Sequence, residues 1–151
     1  MKNLRVRVAG FLKRGGKFLA AEHTKNGVST LLLPGGGADG GADSIKEDLA
    51  REFQEELGMH VEVGGLISVA QSIHPEGKRN ILHLIFEVFS EDEPRITGED
   101  ARVTGYRFVD KPQELEFRPD ILSHLLELLS LDSYNTLNVE CPNWLEERTN
   151  P

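Results

Sequence analysis

Residues 35–59 read GGGADGGADSIKEDLAREFQEELGM, a glycine-rich run feeding a short helix that carries many carboxylates. Ile45, Leu49, Phe53 and Leu57 recur every fourth residue and make one apolar stripe. Asp43 or Ser44 supplies an N-cap, and Ser44 with Glu47 three residues on forms a capping box. Gly58 follows the last apolar residue, where a left-handed C-cap is expected. Glu52, Glu55 and Glu56 stand at i, i+3 and i+4, so three carboxylates crowd one strip of helix surface. They repel one another and lie towards the helix C-terminus, where the dipole disfavours anions. Local stability argues against this arrangement, and a bound cation would explain it.

The segment resembles the Nudix signature, G-x5-E-x7-R-E-U-x-E-E-x-G-U, with U a bulky apolar residue. Here the pattern runs Gly37, Asp43, Arg51-Glu52-Phe53, Glu55-Glu56 and Gly58-Met59 at the family's spacing. One position departs, Asp43 standing where the family has glutamate. A solvated acidic helix face would leave the glycines, Arg51 and the spacing unexplained. The resemblance implies an α/β fold, the Nudix α/β/α sandwich with a mixed sheet, in which the signature forms a loop-helix-loop.

The strand pattern around the signature suits that fold. Leu4, Val6 and Val8 alternate with Arg5 and Arg7 in a half-buried strand reaching about Leu12. A turn at Arg14–Lys17 precedes a strand over Lys17–Glu22, and Asn26-Gly27 is a hairpin signal before Ser29–Leu33. Val61–Val63 and Leu66–Ala70 are strand-like on either side of Gly64-Gly65, and Ser72–Asn80 reads as a polar loop. Ile81–Phe89 is apolar on both faces, as a central strand would be. An acidic loop, Glu91–Asp100, leads to a strand at Val103–Val109. Then come a helical turn at Lys111–Leu115 and a helix opened by Pro119 and Asp120, with leucines as its core face. Residues 1–130 read as one domain and 131–151 as a tail of unassigned role, whose Trp144 and Leu145 are open to packing on the domain, the favoured role, to covering a neighbouring subunit or to flanking the pocket.

Bulk properties narrow the function. The 151 residues suit one domain with a sizeable core, without repeats. A net charge of −8 argues against DNA or general nucleic-acid binding. Cys141 is the sole cysteine, which excludes an intramolecular disulfide and favours a reducing cytoplasm. The charged N-terminus and the lack of a long apolar run indicate neither signal peptide nor membrane span. The partner expected is a small-molecule nucleotide substrate, and a homodimer is compatible with the reading.

The site follows from the carboxylates. Oxygen ligands without histidine or cysteine suit Mg2+ or Mn2+. The resemblance implies that Glu52, Glu55 and Glu56 are metal ligands, with water or hydroxide attacking phosphorus. Arg51, four residues from both Glu47 and Glu55, can hold a carboxylate in position. Gly36 and Gly37 let backbone approach phosphate closely. The general base has several candidates: Glu99 is named first, with Asp100 beside it, Glu91, Asp92 and Glu93 as competitors, and Glu55 or Glu56 as the alternative from the signature. Arg79 and Lys78 are candidate phosphate contacts, and Phe11, Tyr106 and Phe108 candidate base-stacking rings.

A proline sixteen positions past Met59, Pro75, resembles a feature of the ADP-ribose and nucleotide-sugar pyrophosphatases. The resemblance therefore implies a metal-dependent pyrophosphohydrolase acting on such a substrate. A nucleoside-triphosphate or capped-RNA pyrophosphatase is the alternative enzyme, and a non-catalytic nucleotide sensor the alternative of another class. On this reading Glu56→Gln lowers turnover by at least ~10²-fold, as loss of a metal ligand or base does. Glu47→Gln, on the same helix, is nearly silent. Steady-state assays in magnesium check the pair, and equal effects would mean that acidic charge alone matters.

Overall fold

The computed structural model describes residues 3–38, 44–110, 122–137 and 139. Two sheets and two helices account for most of them. The first sheet has the order β5-β1-β7-β6, formed by β1 (Arg5–Phe11), β5 (Gly35–Gly37), β6 (Glu62–Ile73) and β7 (Asn80–Phe89). It is mixed: β1 runs parallel to β7, while β1/β5 and β6/β7 are antiparallel. In the second sheet β3 (Lys17–Lys25) pairs antiparallel with β2 (Lys13–Arg14), β4 (Val28–Leu32) and β8 (Val103–Val109).

Alternation along the central strands distributes side chains to two cores. Val8, Phe86 and Val88 pack with Leu49, Phe53 and Leu57 of α1 (Ile45–Leu57). Ala9, Phe11 and Ile85 join a separate cluster with Phe18, Ala20 and the buried Leu125 and Leu128 of α2 (Leu122–Ser130). Helices thus flank the sheet on both faces, the α/β sandwich expected, and β7 is central and apolar on both sides for that reason.

Local signals act as read, with some shifts. Ser44 caps α1, its Oγ accepting from Glu47 N–H at 3.2 Å. Gly58 closes the helix at φ 61°. Asn26 and Gly27 both have positive φ, and Lys25 pairs with Val28 across a two-residue hairpin. The glycines at 35–37 are not a plain loop but a short strand, antiparallel to Arg7–Ala9. Gly64-Gly65 does not break its strand either: β6 runs through with register shifts, one of them spanning the glycines. The polar loop shrinks accordingly to residues 74–79.

In the tail, Tyr134 stands edge-on to Phe11, and Leu137 exchanges backbone hydrogen bonds with Leu66 at 2.8 and 3.0 Å. Residues 131–137 therefore continue onto the domain. Lys111–Leu115, Pro119, Asp120, Cys141, Trp144 and Leu145 lie outside the described residues. Among the described residues no helix is long and apolar enough to cross a membrane.

The contact between α1 and the sheet leaves no room at Gly10, where an added Cβ would meet Phe53 Cζ at 2.6 Å and Val88 Cγ2 at 2.8 Å. Gly10→Ala is therefore expected to lower stability by roughly 1–3 kcal/mol through overpacking. Chemical denaturation measures it, and an unchanged midpoint would contradict this packing.

Candidate active site

Burial of Leu49, Phe53 and Leu57 against the sheet turns the adjoining flank of α1 towards β5. There Glu52 and Glu56 enter a cavity of about 980 Å³ together with Gly35, Gly36, Gly37 and Arg7. Its other walls include His23 of β3, Arg79 ahead of β7 and Arg102 ahead of β8.

Glu56 is only 2 % exposed. The Gly35 amide donates to its carboxyl group, but Oε2 is buried without a partner. Burial is the main reason its pKa rises to about 8; the charges of Glu52 and Asp100 push the same way, against Arg7 and the Gly35 bond. Burial likewise raises Glu52, opposed chiefly by Arg51. The backbone approaches here because position 36 has no side chain. A Cβ on Gly36 would meet the Glu52 carboxylate, its Cδ at 2.6 Å.

Arg51 binds three acids. Its Nη1 donates to both oxygens of Glu55 at 3.0 Å, while Nη2 reaches Asp48 Oδ1 at 3.5 Å and Glu52 Oε1 at 3.4 Å. Asp48 is buried beneath it. Of the three expected ligands, Glu52 and Glu56 line the cavity, while Glu55 lies beside Glu52 on the Arg51 guanidinium and outside the lining. Among the described residues no three His, Cys, Asp or Glu side chains are grouped as a metal centre. Glu52 and Glu56 nonetheless fit a hard divalent cation, since one offers an unpartnered buried oxygen and the other a desolvated carboxylate.

Other expected residues are distributed unevenly. Gly36, Gly37 and Arg79 line the cavity; Pro75 is exposed in the 74–79 turn and does not. Glu99 is exposed, its N–H donating to Thr97 Oγ1, and stays outside the lining. Its neighbour Asp100 is hydrogen-bonded by Arg102 and depressed by that bond, and its charge reaches Glu52 and Glu56. The 91–100 segment is more than solvated charge. Arg95 N–H donates to Leu57 O, Thr97 Oγ1 to Glu55 O, and Asp92 accepts from His60 N–H, all strapping it to the end of α1. None of the three rings faces the cavity: Phe11 is fully buried against Phe18, Phe108 lies under Arg14, and Tyr106 is outside the lining. Asp43 lies outside the described residues.

Arg7 and His23 on the cavity wall, and His83 and Asp48 behind it, are residues that the sequence reading does not single out. Arg7 reads as the solvent side of an alternating strand, yet Leu4 and Val6 are exposed there as Arg5 is, and Arg7 is half-buried. Burial and the Arg7 charge lower both histidines, His83 to about 4, so both are neutral at physiological pH. A charged residue repeated at period two near a carboxylate helix is the available signal.

The NUDIX domain model matches residues 1–129. A search of curated proteins found no match. Among solved structures, a NUDIX hydrolase from Nitrosomonas europaea superposes with TM-score 0.70 at 20% identity, over 83% of this chain and 87% of that one. The MutT protein from Methanosarcina mazei Go1 gives 0.69 at 18%, over 85% and 94%. An ADP-ribose pyrophosphatase from Streptococcus suis 89-1591 gives 0.58 at 16%, over 87% and 96%. These superpositions establish a shared fold.

The buried Glu56 sets a pH dependence for the metal-free protein. Below its ordinary 4.5 the carboxyl is protonated in folded and unfolded chains alike; between there and about 8 only the folded chain keeps the proton. Stability therefore falls as pH rises through that window. With a chelator present, the melting temperature is expected to be lower at pH 9 than at pH 6, and Glu56→Gln to remove much of the difference. An identical pH profile in the variant would refute the assignment.

Proposed function

This chain belongs to the Nudix family, and on that premise we propose that it is a divalent-metal-dependent pyrophosphohydrolase. Its substrate would be a nucleoside diphosphate linked to another group, with ADP-ribose or a nucleotide sugar preferred. The observation that carries the reading is the cavity itself, where the Glu52–Glu56 pair and the glycine backbone meet a ring of cations within an acidic protein.

Water adds to one phosphorus, the P–O–P bridge breaks, and a nucleoside monophosphate and a sugar phosphate result. Glu52 and Glu56 would hold magnesium or manganese, which supplies charge neutralisation and polarisation of the diphosphate when bound. Arg51 would keep Glu52 and Glu55 in place through its fork. The proton acceptor would be Glu56 on the cavity wall, with Glu55 and Glu99, both outside the lining, as alternatives. Gly36 would let the diphosphate approach the backbone, and Arg79 would face the second group.

Two observations support a bulky second group. The cavity is at the upper end of the ~300–1,000 Å³ usual for small-molecule sites. One structural neighbour is called an ADP-ribose pyrophosphatase. Since Pro75 stands outside the lining, it would act through the 74–79 turn that carries Arg79, by fixing its own backbone angle. A nucleoside-triphosphate substrate is the second reading, favoured by the cations at Arg5 and Lys25 and by the absence of Phe, Tyr or Trp among the described lining residues.

Magnesium-dependent turnover that chelation abolishes is expected, which a non-catalytic sensor would not show. The kcat/KM for ADP-ribose or a nucleotide sugar should exceed that for the best nucleoside triphosphate. A ratio below one assigns the protein to the triphosphate reading.

A further inference from the structure

Five of the chain's 17 lysines and arginines line this cavity: Arg5, Arg7, Lys25, Arg79 and Arg102. Four of them sit in exposed positions, and Arg102 is already spent, its Nε and Nη2 donating to Asp100 at 3.0 and 2.9 Å. Arg7 differs. It is half-buried on a central strand, in register with Gly37 of β5 on one side and His83 of β7 on the other. Its Nη2 donates to Leu33 O at 2.8 Å, which anchors the guanidinium. Leu33 O is its one acceptor among the described residues, and neither Glu52 nor Glu56 lies within the 4.0 Å of an ion pair with it. Arg7 is desolvated and feels the charges of Glu56 and Glu52 without an ion pair to either, so its remaining N–H groups are unspent.

We propose that Arg7 is a substrate-binding residue whose guanidinium, anchored at Leu33 O, donates its remaining N–H groups to a phosphate oxygen of the diphosphate lying between it and the Glu52–Glu56 pair. A guanidinium suits that position because its fork matches phosphate geometry and its bonds to an anion are strong where water is scarce. His83 and His23 stay neutral beside it, so the half-buried positive charge at this point of the wall is that of Arg7. The assignment rests on the diphosphate-cleaving reading, and its test is independent of turnover.

The probe is methylenediphosphonate, an uncleavable diphosphate, titrated into the full chain by calorimetry in magnesium. Arg7→Gln is expected to weaken binding by ~10-fold or more, and Arg7→Lys by less, because charge remains without the fork. Lys17→Gln, which removes an exposed charge outside the cavity, should leave affinity unchanged. With a hydrolysed substrate, Arg7→Gln should raise KM by more than it lowers kcat. A merely structural role would instead reduce the melting temperature and the binding stoichiometry while leaving the affinity of the folded fraction intact. If Arg7→Gln fails to fold, Arg7→Lys decides. Affinity in that variant equal to wild type overturns the proposal, as does a wild-type protein that does not bind the probe. If no nucleotide is cleaved yet Arg7→Gln loses affinity, the hydrolase reading falls and the Arg7 assignment stands. If cleavage proceeds with KM and affinity unmoved, the reverse holds.

Discussion

Everything in the site depends on how α1 is seated. Burying Leu49, Phe53 and Leu57 in the cluster with Val8 and Phe86 leaves the helix one rotational setting about its axis. At 3.6 residues per turn, that setting carries Glu52 and Glu56 to the β1–β5 side and Glu55 away from it. Each of the buried side chains contributes on the order of 1.5–3 kcal/mol of transfer free energy. That driving force is large enough to hold Glu56 where a carboxylate alone would not go. The apolar stripe thus positions the acids, and the acids have no say in it.

The cost of that placement is distributed. Arg51 compensates Glu52, Glu55 and Asp48 within the helix, so part of the repulsion read from the sequence is relieved without any cation. Glu56 receives no such contact. It is left with one backbone donor, the distant charge of Arg7 and a free oxygen. The unrelieved part of the electrostatics is therefore concentrated at a single carboxyl on the cavity wall, where a ligand can act on it.

Much of this is legible in the sequence because it is local. Ser44, the fourfold stripe, Gly58 and the Asn26-Gly27 hairpin are signals whose partners lie within a few residues, and each forms as read. What sequence reasoning misses involves residues distant in the chain. Arg7 looks like a surface residue until β5 and β7 pair on either side of it and enclose its side chain. The glycines at 35–37 form a strand only because β1 offers a free edge. Likewise, the acidic residues near 92 resemble solvated charge until the segment following α1 supplies His60 N–H. Glu99 and Asp100 are adjacent in sequence, but Arg102 selects one of them for a fixed geometry.

The parallel pair at the centre of the first sheet has a consequence for the order of assembly. β1 finds β5 within some thirty residues, but its other neighbour, β7, begins only at Asn80. A nascent chain that has presented α1 in full still lacks the Arg79 wall and one flank of the strand bearing Arg7. Contacts of such sequence separation form late and slowly. The carboxylates of α1 are therefore made early, while the pocket that gives them a purpose closes only after more than half the chain has been synthesised.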